Sequence, residues 1–251
     1  TYTVTVSNTG DVALTGVTFL IPPGAEAGEG ASSSTGLNGF ESAREGESYE
    51  SFEITDLPAD FDLAVGPGER VALSAPSGFG KTTLCRLLAG YERPQAGEIL
   101  VDGAPLPKRG TCPVQLILQH PEAAVDPRMR MERTLAEAGE VPQGLLDDLG
   151  IQKRWLTRFP HELSGGELQR FCIARALMAN PRYLVADEIS TMLDAVTQAQ
   201  IWRFLVTETK KRDVGLVFVS HSPALAERIA TRTIDLGAAG IQPSSKGPAD
   251  C

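Results

Sequence analysis

Nine residues, Ala75-Pro76-Ser77-Gly78-Phe79-Gly80-Lys81-Thr82-Thr83, constrain the fold more than any other stretch of this chain. They follow a short apolar run, Val71 to Ser74, and lead into Thr83, Leu84, Leu87 and Leu88 at helical spacing. A strand that turns through small residues straight into a helix makes a cradle for anions. The small residues let the backbone curl so that successive N–H groups converge on phosphate oxygens, and the helix N-terminus adds partial positive charge. The stretch fits the spacing GxxxxGK[ST] at every fixed position but the first, where Ala75 stands for glycine. In that frame Ser77, Gly78, Phe79, Gly80 and Thr83 surround the phosphates. Lys81 reaches the β- and γ-phosphates, and Thr82 offers its hydroxyl to Mg2+. The alternative is a glycine-rich turn with a surface lysine.

A second element gives that loop a partner. Tyr183 to Ala186 is an apolar run that ends in Asp187-Glu188. This predicts a buried strand presenting two carboxylates at the carboxyl end of a parallel sheet, where open α/β sheets bind ligands. Asp187 suits a Mg2+ shell, and Glu188 suits the polarisation of an attacking water. An acid pair after a strand also fits a helix N-cap, so the pair gains meaning only beside the phosphate loop. A third element, Leu163-Ser164-Gly165-Gly166-Glu167-Leu168-Gln169-Arg170, precedes an amphipathic helix predicted over Glu167 to Ala179. Ser164 and Glu167 fit a capping box. The same turn fits a second phosphate site, with Ser164, Gly165 and Gly166 at a helix N-terminus.

The surrounding chain alternates strand and helix patterns. Strands are predicted at 1–7, 12–21, 71–74, 97–101, 113–118, 183–186, 216–219 and 234–236, with helices at 196–212 and 224–230. Residues 128–160 read as mostly helical, broken at Pro142 and Gly150. That order implies an α/β domain with a mostly parallel sheet. Of 251 residues, 42% are hydrophobic, enough for a sizeable core. Lys and Arg number 23 against 32 Asp and Glu, a net charge of −9, which argues against a basic nucleic-acid surface. Residues 1–60 hold ten acids and one base, Arg44, so the whole excess sits in the first quarter and marks a change of segment. Residues 24–48, rich in Gly, Ser and Glu, predict a flexible acidic loop, and 241–251 a loose tail. Four cysteines without CxxC or metal-ligand spacing read as thiols of a reducing cytoplasm, with Cys85 and Cys172 in the core. No run of about 18 apolar residues predicts a membrane span. No signal pattern is visible. The opening Thr1 reads as the start of a fragment.

Taken together, the elements resemble the ATP-binding cassette (ABC) ATPases, a family of P-loop NTPases. Leu163 to Glu167 with Gln169-Arg170 is similar to that family's signature, Ala75 to Thr83 to its Walker A loop, and Tyr183 to Glu188 to its Walker B strand. Gln119 falls at its Q-loop, Ser190-Thr191-Met192-Leu193-Asp194 at its D-loop, and Ser220-His221-Ser222 at its switch histidine. The resemblance covers about residues 52–236 and places an ABC ATPase domain at 49–240, with a helical signature subdomain at about 120–178. It implies ATP and Mg2+ as cofactors, with Thr82, Gln119 and Asp187 around the metal. It also implies Glu188, His221 and Gln119 as the catalytic set. Two such chains, identical or related, would close over ATP, with Ser164, Gly165 and Gly166 completing the partner's site. Separate transmembrane permease subunits and a solute-binding protein are implied, with the ATPase peripheral on the cytoplasmic side. An aromatic residue upstream of the phosphate loop stacks on adenine in this family; spacing favours Phe52, with Tyr49 the other candidate.

Gln119-His120-Pro121-Glu122-Ala123-Ala124-Val125-Asp126-Pro127-Arg128 is similar to the peptide and nickel importer branch, as are Phe79, Gly90 to Pro94 and Ile189 to Asp194. Residues 1–23 form an atypical N-terminal β segment, and Tyr2 to Phe19 resembles the opening of an immunoglobulin-like repeat of bacterial surface proteins. The other possibility is that Ala13 to Gly24 is a divergent form of the family's own entry strand. Three rival functions are weaker. A serine hydrolase would need Ser220 and His221 to pair, but neighbours on a strand face opposite ways. A chromosome-organising ATPase would carry long heptads, which are missing. A non-hydrolysing interaction module remains open and is separated by ATP affinity.

Overall fold

The computed structural model describes residues 4–7, 17–21, 50–54, 62–76, 79–94 and 97–237. Its order begins with β1 (Val4–Ser7), β2 (Val17–Ile21), β3 (Glu50–Ile54), β4 (Asp62–Val65), β5 (Arg70–Ser74), α1 (Lys81–Leu88), β6 (Glu98–Val101), β7 (Ala104–Pro105) and β8 (Val114–Ile117). Two short helices follow, α2 (Met131–Ala136) and α3 (Gln143–Asp148). Then come α4 (Gly165–Met178), β9 (Tyr183–Asp187), α5 (Ala195–Arg212), β10 (Gly215–Val219), α6 (Pro223–Ile229) and β11 (Arg232–Asp235).

Strands β11-β5-β10-β9-β8 form a parallel sheet in that order. All five residues of β9 and of β10 are buried, as expected for central parallel strands covered on both faces. Alternation along the strands splits the interior into two cores. Val71, Leu73, Tyr183, Val185, Val217 and Val219 face α1 and the antiparallel strands, meeting Leu84, Leu88, Leu63 and Val101. Ala72, Leu184, Ala186, Leu216 and Phe218 face the other way, meeting Phe171, Ile173, Leu177, Trp202 and Leu205 of α4 and α5. The period of two thus assigns each strand residue to one core. Gly215 marks a close approach: a Cβ there would lie 2.4 Å from the Tyr183 ring and 2.9 Å from the Gly66 carbonyl.

A second sheet, antiparallel, runs β4-β1-β6-β7. Here the likeness of Tyr2 to Phe19 to an immunoglobulin-like repeat is not borne out. Val4–Ser7 pairs with β4 on one side and β6 on the other, register Val4 to Val65 and Val4 to Val101. It is an inner strand of this domain's own sheet. Alternating β-branched residues suit any antiparallel strand with one buried face, so the pattern could not tell the two apart. Strands β2 and β3 pair with each other, a strand at 50–54 that the sequence pattern did not predict. The segment 128–160 is less helical than expected: six-residue α2 and α3 and short 3-10 turns at Lys153–Trp155 and Pro160–Glu162 share it. The expected loop at 24–48 and tail at 241–251 lie outside the described residues.

Candidate functional site

Parallel register brings four strand ends to one edge. Val219 of β10 sits opposite both Asp187 of β9 and Leu73 of β5, and Ile117 of β8 sits opposite Ala186. The chain leaving β5 enters the phosphate loop, β9 ends in the carboxylates, β10 leads to His221, and β8 leads to Gln119.

In the phosphate loop, Gly80 caps α1 with φ 74°, a left-handed backbone that glycine adopts without the clash of a Cβ. Ala75 keeps a negative φ, so its methyl in place of glycine strains nothing. The Lys81 ammonium donates to the carbonyls of Ala75 (2.8 Å) and Pro76 (3.0 Å), tying the loop's end to its start. Lys81 is 7% exposed, and burial lowers its pKa against the opposing pull of Glu188 and Asp187. Thr83 is buried and Thr82 half-buried. Phe79 packs partly on the core face shared with α1. Ser77 and Gly78 lie outside the described residues, as does Tyr49. Phe52 is placed in β3 opposite Phe19, and its side chain lies outside the described part.

Asp187 is 2% exposed. Desolvation pushes its carboxyl up to about 6, partly offset by the hydrogen bond from Thr82. Its Oδ1 is buried without a hydrogen-bond partner. A buried carboxylate oxygen with an unmet valence is rare and costly, and beside a hydroxyl it forms the oxygen donor set a hard divalent cation takes. The residues therefore fit Mg2+.

Glu188 follows with φ 49°, the left-handed region, which costs a Cβ-bearing residue roughly 1–2 kcal/mol. Its carbonyl is held by the Thr191 N–H (3.2 Å) and hydroxyl (3.1 Å). The Ser190 hydroxyl accepts from Gln198 Nε2 and Trp202 Nε1, each at 3.0 Å. These bonds aim Glu188 off the strand end, where its Oε1 lies 2.7 Å from His221 Nε2. Lys81, Thr82, Asp187, Glu188 and His221 thus form one cluster. Gln119, half-buried, follows two residues after β8 at the same edge.

The Ser164 turn has a different state. Ser164 caps α4: its hydroxyl accepts from the Glu167 N–H (3.3 Å), and its own N–H donates to Glu167 Oε2 (2.8 Å). The expected capping box is present, and Ser164 and Gly165 are exposed. Gln198 and Trp202, which hold Ser190, belong to none of the sequence motifs. Their spacing of four residues on a helix, facing Ser190, was the available signal.

Comparison with known proteins bears on the whole arrangement. The family model described as ABC transporter matches residues 59–191. The nickel import ATP-binding protein NikE of Brucella abortus (strain 2308) is 35% identical over 194 residues, covering 70% of this chain and 73% of that protein. The glutathione import ATP-binding protein GsiA of Pectobacterium atrosepticum is 37% identical over 191 residues, 68% of this chain, and this chain spans 30% of its length. Among solved structures, a dimeric ATP-binding cassette in a post-hydrolysis state with ADP and Pi aligns with TM-score 0.65 at 21% identity, covering 92% of this chain and 93% of that one. That likeness concerns the fold.

Proposed function

The chain belongs to the ABC transporter family as an ATP-binding, ATP-hydrolysing cassette, and from that premise we propose how its residues divide the work and what it drives. The observation that carries the proposal is the cluster of Lys81, Thr82, Asp187, Glu188 and His221 at one sheet edge. Lys81, poised at the mouth of the phosphate loop, exchanges its two carbonyl contacts for β- and γ-phosphate oxygens. Ser77, Gly78, Phe79, Gly80 and Thr83 line the phosphates with backbone N–H groups and the helix N-terminus. Glu188 takes a proton from the attacking water as general base. His221, 2.7 Å from Glu188, fixes the carboxylate's direction and faces the γ-phosphate. Thr82, Asp187 and Gln119 would hold Mg2+, which when bound neutralises charge on the phosphate oxygens.

Ser164, Gly165 and Gly166 serve the ATP of a second cassette, identical or related. ATP then joins two chains, and hydrolysis releases them. Phe52 stacks on adenine. The relatives' names support import of nickel, a peptide or a similar small solute. Such a cassette works with separate permease subunits and a solute-binding protein, on the cytoplasmic side of a membrane. No helix among the described residues is long and apolar enough to cross one. Phosphate release from ATP by the purified chain tests the reading. ATP affinity together with Mg2+-dependent turnover is the expected result, and absence of both overturns it in favour of an interaction module.

A further inference from the structure

Three side chains of α4 bond to three backbone carbonyls of the segment that follows β8, all at one sequence offset. Gln169 Nε2 donates to the Leu118 carbonyl at 3.3 Å. The Cys172 thiol donates to the Pro121 carbonyl at 3.6 Å. The Arg175 guanidinium donates to the Ala124 carbonyl. Each pair is 51 residues apart, so both strings advance three residues per rung. Positions three apart lie on one stripe of a helix, which is why one face of α4 can make all three bonds. Gln169 is 1% exposed, so its amide has traded water for this single carbonyl. Arg175 also pairs with Glu137, just past α2, at 3.5 Å.

The first rung sits at an informative place. The Leu118 carbonyl and the Gln119 N–H share one planar peptide unit, so holding the oxygen sets the orientation from which Gln119 departs. We propose that Gln169 is a positioning residue for Gln119, and that the three-rung ladder is what holds segment 118–124 against α4. The claim rests on the role given to Gln119 above.

The test compares Gln169→Met, Gln119→Ala and the double variant in the full chain. It reads kcat and KM for ATP, and amide hydrogen exchange over 118–125. Gln169→Met keeps the side-chain volume and removes the donor. Its kcat should fall about tenfold while KM moves less than about twofold. The double variant should be no slower than Gln119→Ala, because residues acting through one element are not additive. Exchange over 119–124 should speed up about tenfold with 114–117 unchanged. Multiplicative losses, or wild-type kcat in Gln169→Met beside an impaired Gln119→Ala, overturn the positioning claim. Wild-type turnover in Gln119→Ala overturns the role of Gln119 itself, and the exchange data then judge the ladder alone. Should Gln169→Met not fold, Arg175→Gln decides: faster exchange over 119–124 and non-additivity with Gln119→Ala are expected, and failure of either overturns the ladder.

Discussion

The phosphate-loop cluster and the Ser164 turn are both anion-binding shapes, yet their valences are settled in opposite ways. In the cluster, Lys81 and Asp187 are buried, Asp187 Oδ1 has no partner, and Glu188 sits in a strained backbone. Such groups are held ready for a ligand, because the cost of desolvating them is met on folding and not on binding. In the Ser164 turn, hydroxyl, carboxylate and N–H groups satisfy one another, and Ser164 stays exposed. That turn is complete as a helix cap and offers only its outward face. Under the proposed function, the first region serves its own chain's ATP and the second the ATP of a partner chain.

The largest expected effect probes the cluster. Glu188→Gln should keep ATP binding and lower kcat by at least about 10², with an ATP-bound dimer accumulating on size-exclusion chromatography; wild-type phosphate release would remove Glu188 from its role. Lys81→Ala should weaken ATP binding by roughly tenfold or more, as loss of a charge-assisted bond predicts, measured by titration calorimetry. An unchanged affinity would put the phosphates elsewhere.

The acid limb of the pH–rate profile sharpens the contrast further. Burial raises the Asp187 carboxyl to about 6, so the anion that would meet a cation is lost as pH falls through that value. Turnover should drop about tenfold per unit below it. Raising Mg2+ should move the limb to lower pH, since the cation binds the ionised form. A limb insensitive to Mg2+ would break the link to Asp187. For stability the sign is opposite: the folded pKa lies above the unfolded one, so this carboxyl favours the fold below about 4 and that contribution is lost as pH rises through about 6. The smallest effect probes the other region. Ser164→Ala should cost about 1 kcal/mol of stability as a lost cap, read by denaturant unfolding. It should lower turnover several-fold while leaving single-chain ATP affinity intact. Loss of that affinity would place the turn on its own chain's nucleotide.

Legibility varied from element to element for physical reasons. β9 and β10 were readable because a buried parallel strand must be apolar throughout. The helix start at Lys81, the acid that ends β9 and the Ser164 cap were readable because helix starts, strand ends and caps each demand particular residues at fixed spacing. Val4–Ser7 was recognisable as a strand but not assignable to a sheet, since its register partners lie 55–61 residues away in β4 and 91–97 in β6. The helices of 128–160 were overestimated because their apolar residues also fit short turns packed on α4. An apolar helix face predicts only packing for Trp202, and its indole N–H, aimed at Ser190, adds a second task.

By itself, then, the sequence determined the order of motifs, the alternation that divides the two cores, and the residue types at the sheet's carboxyl edge. These follow from local spacing and from the period of strand and helix. The tertiary structure alone decided which valences are spent and which are left: the bare Asp187 Oδ1, the Glu188–His221 contact, and the rungs that tie α4 to 118–124. Each depends on segments far apart in the chain meeting within a hydrogen bond's length, and no local pattern encodes that distance.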